Sequence, residues 1–269
     1  MDGLLINSED LISKSINEIL AKYGKPPLPW SVKTQLQGRA LPDASKILRA
    51  WADLPITDAE YQAQLKVQHA TWFPTCAPLP GVEQLLATLT AASNMELALA
   101  TSSSREKFEL KTKHLQTLFA AFPPERRVLG DDPRVSAHKP APEIYLVALK
   151  CINDSLERQG KAAIRPEECL VLEDAILGVE AGRAAGMQVL WCPHPGLLEE
   201  IREGGRGEGI LSVASRAEIP FDAVFRRDKA GGVPLSKTSQ SDHREWVRLV
   251  DTLEEFDYTS YGIEVESRE

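Results

Sequence analysis

With 269 residues, 43% of them apolar and 26% charged, the chain has the composition of a globular protein long enough for one large domain or for a core domain with a smaller companion. Its net charge of −8 excludes the clustered basic surface that nucleic-acid binding needs, and no apolar run reaches the length of a membrane span or of a secretory leader's centre. Four cysteines and five histidines are scattered, without Cys-x-x-Cys or zinc spacing, so a reducing, cytoplasmic compartment is expected.

The chain opens on Asp2-Gly3, a turn dipeptide, followed by apolar Leu4, Leu5 and Ile6 and then Asn7, Ser8 and Glu9. Residues 10–75 carry helical stretches at 11–23, 43–53 and 57–72, broken by glycines and prolines at 24–27, Gly38 and Pro55, with no strand among them. They are expected to form a small helical domain inserted early in a larger one made of residues 1–9 and 76–269. Pro80-Gly81 precedes an i, i+3, i+4, i+7 stripe of Val82, Leu85, Leu86 and Leu89. Four short apolar runs follow, at 95–100, 127–129, 169–172 and 187–192. Each leads into a polar stretch, and helical patterns lie between them. That alternation predicts βαβ units, an α/β fold with a doubly wound parallel sheet. Pro142 is placed to open a helix through Ile144, Tyr145 and Ala148, and Gly186 to end one over 175–185. Residues 199–245, rich in Gly, Arg and Ser, read as a mobile insertion, and 246–250 as a last strand.

In such sheets ligands bind beyond the carboxyl ends of the strands, and three of the four runs end in hydroxyl or carboxylate residues. Glu173-Asp174 are adjacent carboxylates that repel unless a cation or proton is shared; Mg2+, a hard cation, suits them. Asp174 could instead cap the following helix. Lys139 precedes Pro140, which biases it toward extended backbone in a loop able to hold the ammonium over an anionic site; the plainer reading is a surface charge. Thr101 and Ser102 offer a hydroxyl and free N–H groups to phosphate oxygens, while Ser103 and Glu106 have capping-box spacing. Asp2, Thr101, Lys139 and Glu173-Asp174, in that order along one βαβ chain, make a single phosphate-and-magnesium site.

At these residues the sequence resembles the haloacid-dehalogenase (HAD) superfamily. Residues 1–9 match that family's first motif, Asp-x-Asp-Gly, from its second position onward; Thr101 matches the second motif, Lys139 the third and Glu173-Asp174 the fourth. Further likeness to pseudouridine-5′-phosphatase-like and related sugar-phosphate phosphatases rests on residues 100–103, 130–133, Lys139-Pro140, 172–175 and 178–181, and on the ending near Phe256 and Tyr261. The resemblance implies a Rossmann-like core with an α-helical cap over residues 10–75. It implies a monomeric, magnesium-dependent phosphatase of a small phosphorylated metabolite, acting through an aspartyl-phosphate. Asp2 would be the acid/base, with Thr101, Ser102 and Lys139 on the phosphoryl oxygens. Asp2, Glu173 and Asp174 would hold the metal, and Gly38 and Arg39 would read the substrate. The nucleophile would stand immediately before Met1, at the end of a central apolar strand. Losing five buried apolar residues at ~2 kcal/mol each removes roughly 10 kcal/mol, against a net domain stability of about 5–15 kcal/mol. The 269 residues alone are therefore expected to fold poorly and to lack covalent catalysis. The alternative is a catalytically inactive HAD-like binding or regulatory protein. A nucleotide-binding domain of another kind is disfavoured, since no Gly-x-Gly-x-x-Gly or P-loop stands in the right place.

Overall fold

The computed structural model describes residues 1–39, 41–202, 233–234 and 246–265. Four helices come first: α1 (Ser8–Lys22), α2 (Trp30–Leu36), α3 (Leu41–Ala52) and α4 (Asp58–Trp72). Ile16, Ile19 and Leu20 of α1, Leu48 of α3, and Tyr61 and Leu65 of α4 bury one another in a cluster of their own. Helix α4 begins at a complete capping box, in which the Thr57 hydroxyl accepts from the Glu60 N–H and the Glu60 carboxylate accepts from the Thr57 N–H. Helix α2 is an addition to the sequence reading.

The rest alternates as the apolar runs predict: α5 (Val82–Ala91), β1 (Leu99–Ala100), α6 (Arg105–Thr112), α7 (Gln116–Phe119), β2 (Arg127–Val128), α8 (Glu143–Arg158), β3 (Leu170–Glu173), α9 (Ile176–Ala184), β4 (Gln188–Trp191), α10 (Pro195–Arg202), β5 (Val233–Pro234) and β6 (Val247–Leu249). The protein is thus α/β, with β1–β2, β3–β4 and β4–β6 all parallel; among the described strands only β5 runs antiparallel, along β6. Within the expected insertion at 199–245, residues 203–232 and 235–245 lie outside the described residues, and the strand pair at 233–234 was not foreseen.

The strands fall into two groups, β1–β2 and β3–β4–β6–β5, and no ladder joins β1 to β3 among the described residues. The apolar run at 95–100 therefore pairs on one side only, and just at Leu99 and Ala100. Leu97 and Leu99 of that run, Leu170 and Leu172 of β3, and Met1 all line one apolar groove between the two groups. Leu97, Leu170 and Leu172 remain only half-buried there.

Candidate active site

Asp2 is held by the turn that opens the chain. The Met1 carbonyl accepts from the N–H groups of Leu4, Leu5 and Ile6, and Gly3 donates to Ile6 O. Gly3 sits at φ +63°, and a Cβ there would lie 2.5 Å from Asp174 Oδ2, so only glycine lets the first turn approach that carboxylate. Both Asp2 oxygens are engaged. Oδ1 accepts from Ser8 Oγ at 2.5 Å and from Lys111 Nζ at 2.5 Å; Oδ2 accepts from Ser103 Oγ at 2.8 Å and, weakly, from Thr101 Oγ1 at 3.4 Å. Burial opposes ionisation of Asp2, but Lys111 and then the terminal ammonium outweigh it and hold the carboxyl well below its usual range.

Thr101 follows β1 directly. Its N–H donates to Val128 O, which extends the β1–β2 pairing, and its hydroxyl accepts from the Ser103 N–H at 3.2 Å. Ser103 is not the helix cap: α6 is preceded by Ser104, whose side chain caps nothing, and the Ser103 hydroxyl is drawn away to Asp2. The free N–H of Arg105 in the first turn of α6 is satisfied instead by the Asp131 carboxylate at 3.0 Å.

The acidic pair stands at the end of β3, and both side chains are buried. Glu173 accepts from Lys139 Nζ and from the Tyr145 hydroxyl, and the Lys139 ammonium lies 4.9 Å from the Tyr145 ring centroid. Gly178 makes room for this carboxylate, since a Cβ there would lie 2.1 Å from Glu173 Cδ. Burial would raise Glu173, yet Lys139 beside it prevails and pulls the carboxyl below its ordinary value. Asp174 behaves oppositely: burial first, then the charges of Glu173 and Glu9, push it well above the carboxylate range. It does not cap α9, whose N-cap is Ala175 without a side-chain bond. Its Oδ2 accepts from Gln37 Nε2 of the helical segment at 2.7 Å, and its carbonyl from Trp191 Nε1 at 2.8 Å. Lysine thus neutralises Asp2 and Glu173, while Asp174 has no cationic partner among the described residues.

Asp2, Thr101, Ser102, Lys139, Glu173 and Asp174 all line one cavity of about 460 Å³, and Gly38 and Arg39 reach it from the helical segment. Gly38, at φ +75°, lies against Ala175 and Leu177, whereas the Arg39 side chain donates back to Gln35 O from an exposed position. The far wall is largely apolar, with Ile16 of α1, Leu48 of α3, and Leu65 and Phe73 from and after α4. Lys33 is buried there against Glu9, donating to its carbonyl at 3.0 Å and standing 3.6 Å from its carboxylate.

Sequence reasoning missed Lys111, Ser103, Gln37 and the Lys33–Glu9 pair. One signal was available for Lys111: it falls on the Phe108, Lys111, Thr112 stripe that α6 buries, where a cation needs a partner. Nothing local marks Gln37.

A family model for haloacid dehalogenase-like hydrolases matches residues 1–192. A Saccharomyces cerevisiae protein named probable pseudouridine-5′-phosphatase is 43% identical over 227 residues, 81% of this chain and 92% of that protein. (DL)-glycerol-3-phosphatase 2 of Arabidopsis thaliana is 30% identical over 199 residues, 73% of this chain and 78% of that protein. The crystal structure of a HAD family hydrolase from Deinococcus radiodurans, with bound phosphate and sodium, matches with a TM-score of 0.54 at 22% identity, covering 81% of this chain and 85% of that one; this is a likeness of fold.

Proposed function

The chain belongs to the haloacid dehalogenase-like hydrolase family, and from that premise we propose that it is a magnesium-dependent phosphatase of a small phosphorylated metabolite, a sugar or nucleoside monophosphate. One observation carries the reading. The Thr101 hydroxyl, the buried ammonium groups of Lys111 and Lys139, and the carboxylates of Asp2, Glu173 and Asp174 converge on one cavity of about 460 Å³, which also has an apolar wall. Pockets of this size suit small organic ligands. The curated relatives named for hydrolysis of pseudouridine 5′-phosphate and of glycerol 3-phosphate support the substrate class.

In this reading Thr101 Oγ1, the Ser102 N–H and the Lys139 ammonium bind the transferring phosphoryl oxygens. In its protonated form Asp2 gives a proton to the leaving oxygen, and the carboxylate so formed later takes one from the attacking water. The nucleophilic carboxylate belongs to the position ahead of Met1, and attack from it forms an aspartyl-phosphate. The helical segment covers the site, excludes water and shapes the leaving-group pocket, with Gly38 and Arg39 on its rim.

The donor set suits magnesium in one respect. The described residues hold no cluster of three or more Asp, Glu, His or Cys groups grouped as metal ligands. Magnesium, however, is commonly held by one or two carboxylates, its remaining ligands being waters and substrate oxygens. Asp174 is a buried carboxylate with no ion pair among the described residues, and it would be the main ligand. The Asp2 carbonyl, to which none of the turn's N–H groups donates, would be a second, with Glu173 in support. A bound magnesium ion supplies positive charge to the phosphoryl oxygens.

A phosphate-release screen over sugar and nucleoside monophosphates tests the reading, using the chain extended ahead of Met1 by an apolar strand ending in Asp. Turnover that requires magnesium and is largely lost in Asp2→Asn is expected. Tight binding of inorganic phosphate with no turnover of any ester would favour the inert binding protein instead. The enzyme is expected to be a cytoplasmic monomer; no helix among the described residues is long and apolar enough to cross a membrane.

A further inference from the structure

Lys111 is the most deeply buried cation of the site, with 2% of its side chain exposed. Lysine is almost never buried to this degree without a partner. Here the partners form a closed ring: Nζ donates to Asp2 Oδ1 at 2.5 Å and to Ser103 Oγ at 3.0 Å, and the Ser103 hydroxyl donates to Asp2 Oδ2 at 2.8 Å. The ammonium also lies 4.5 Å from the centroid of the Phe73 ring, which ends the cavity wall carried by α4. Such a ring fixes both oxygens of the carboxylate and so its rotation about the Cβ–Cγ bond. Ser8 reinforces Oδ1 alone and could not do this. Lys139 is engaged elsewhere, on Glu173 and Tyr145.

We propose that Lys111 is the positioning residue of Asp2, clamping that carboxylate with Ser103 so that it faces the leaving-group oxygen. The proposal rests on the phosphatase reading above, in which Asp2 is the acid/base. The two lysines then divide the work: Lys139 serves the phosphoryl group and the acidic pair, and Lys111 serves proton delivery. A residue that only held the fold together would slow every substrate alike. A residue that aims the acid matters most when the leaving group needs a proton.

The test compares Lys111→Met and Lys111→Arg with the parent on two esters, all three in the chain extended ahead of Met1 by an apolar strand ending in Asp and with magnesium present. One is p-nitrophenyl phosphate, whose leaving group departs as a stable anion; the other is an alkyl phosphate such as glycerol 3-phosphate. The expected result is a kcat loss in Lys111→Met at least about tenfold greater for the alkyl ester, part of the roughly 10²–10⁴-fold that a general acid contributes. Lys111→Arg should recover part of it, and KM for both esters should change less than kcat. In an Asp2→Asn background Lys111→Met should cost little more. That pair of changes removes both charges together, so the double variant reports even if the single one folds badly. Equal losses on both esters, or a full additional loss in the Asp2→Asn background, would overturn the proposal. A parent without turnover on either ester would instead sink the phosphatase reading on which it stands.

Discussion

The groove between β1 and β3 gives the most demanding expectation. Its banks are two strand edges without a ladder between them, and Leu97, Leu170 and Leu172 are left half-buried on it. Helices close it on both faces, with Leu85 and Leu86 of α5 on one and Ala148 and Leu149 of α8 on the other. A strand lying there would be covered on both sides and would have to be apolar throughout. The perturbation is to extend the chain ahead of Met1, which also lines the groove, by five β-branched or aromatic residues. Burying them contributes about 10 kcal/mol, at ~2 kcal/mol each. Fixing their backbone and side chains costs about 8 kcal/mol of that. Completing the burial of the three half-buried leucines adds back a little, for a net gain of about 3 kcal/mol. For a domain of this size that is a rise in Tm of about 6–12 °C. The assay is thermal unfolding of the extended chain beside one whose extension alternates Ser and Gly, with amide exchange read at residues 97–100 and 170–172. Equal Tm values for the two extensions, or no gain of protection on either bank, would refute the reasoning.

Three further outcomes follow from single contacts. Gly3→Ala should destabilise the protein by about 1–3 kcal/mol in urea unfolding, from the strained φ and the clash with Asp174 Oδ2 and Glu9, and should weaken magnesium binding by calorimetry. His69 is buried against Phe73, and burial first, then Lys107 and Lys111, pull its pKa from 6.5 down to about 3. The unfolded chain therefore takes up this proton first, and stability falls as pH drops below about 6.5, by about 1.4 kcal/mol per unit, until about 3; His69→Phe should flatten that part of the stability–pH curve, and an unchanged slope would count against the neutral, buried ring. Lys139→Met should cost about 3–5 kcal/mol by leaving Glu173 buried without its cation. Adding Glu173→Gln should return most of that, so strict additivity in the double variant would show that the pair is not coupled.

Much of the architecture was legible because the signals were local. The runs at 127–129, 169–172 and 187–192 became β2, β3 and β4 within a residue of where the sequence puts them, and the 246–250 run contains β6. Each is an apolar stretch bounded by a turn, and its neighbours in the sheet accept it as it stands. The run at 95–100 has the same pattern but forms only two residues of strand, because a ladder needs a partner edge and this one has it on one side. Helix α2 escaped because it is short, follows Pro26, Pro27 and Pro29, and buries only Val32 and Lys33, so no apolar stripe betrays it. The Ser103 capping box failed for a different reason: the spacing was right, but a carboxylate about a hundred residues away in sequence competes for the hydroxyl and wins. Gln37 was invisible as a site residue, and the buried stripe of α6 marked Lys111 as needing a partner without naming it, because Asp174 and Asp2 are brought to them only by the tertiary fold.

What those distant partners do is set the charge of the site. Four carboxylates within one cavity, Asp2, Glu9, Glu173 and Asp174, repel one another unless each is compensated, and the compensation is unequal. Lys111 answers Asp2 and Lys139 answers Glu173, each in direct contact, and Lys33 stands 3.6 Å from Glu9. Asp174 receives only the neutral amide of Gln37, and the repulsion of Glu173 and Glu9 falls on it. The deficit is therefore localised on one group, the one that the Gly3 turn approaches most closely. A cation arriving there would relieve the repulsion without displacing either lysine. The lysines would then remain free to hold the acid/base and the phosphoryl oxygens in place. Unequal compensation is thus what separates metal binding, proton transfer and phosphate binding among groups that the sequence shows only as single letters far apart.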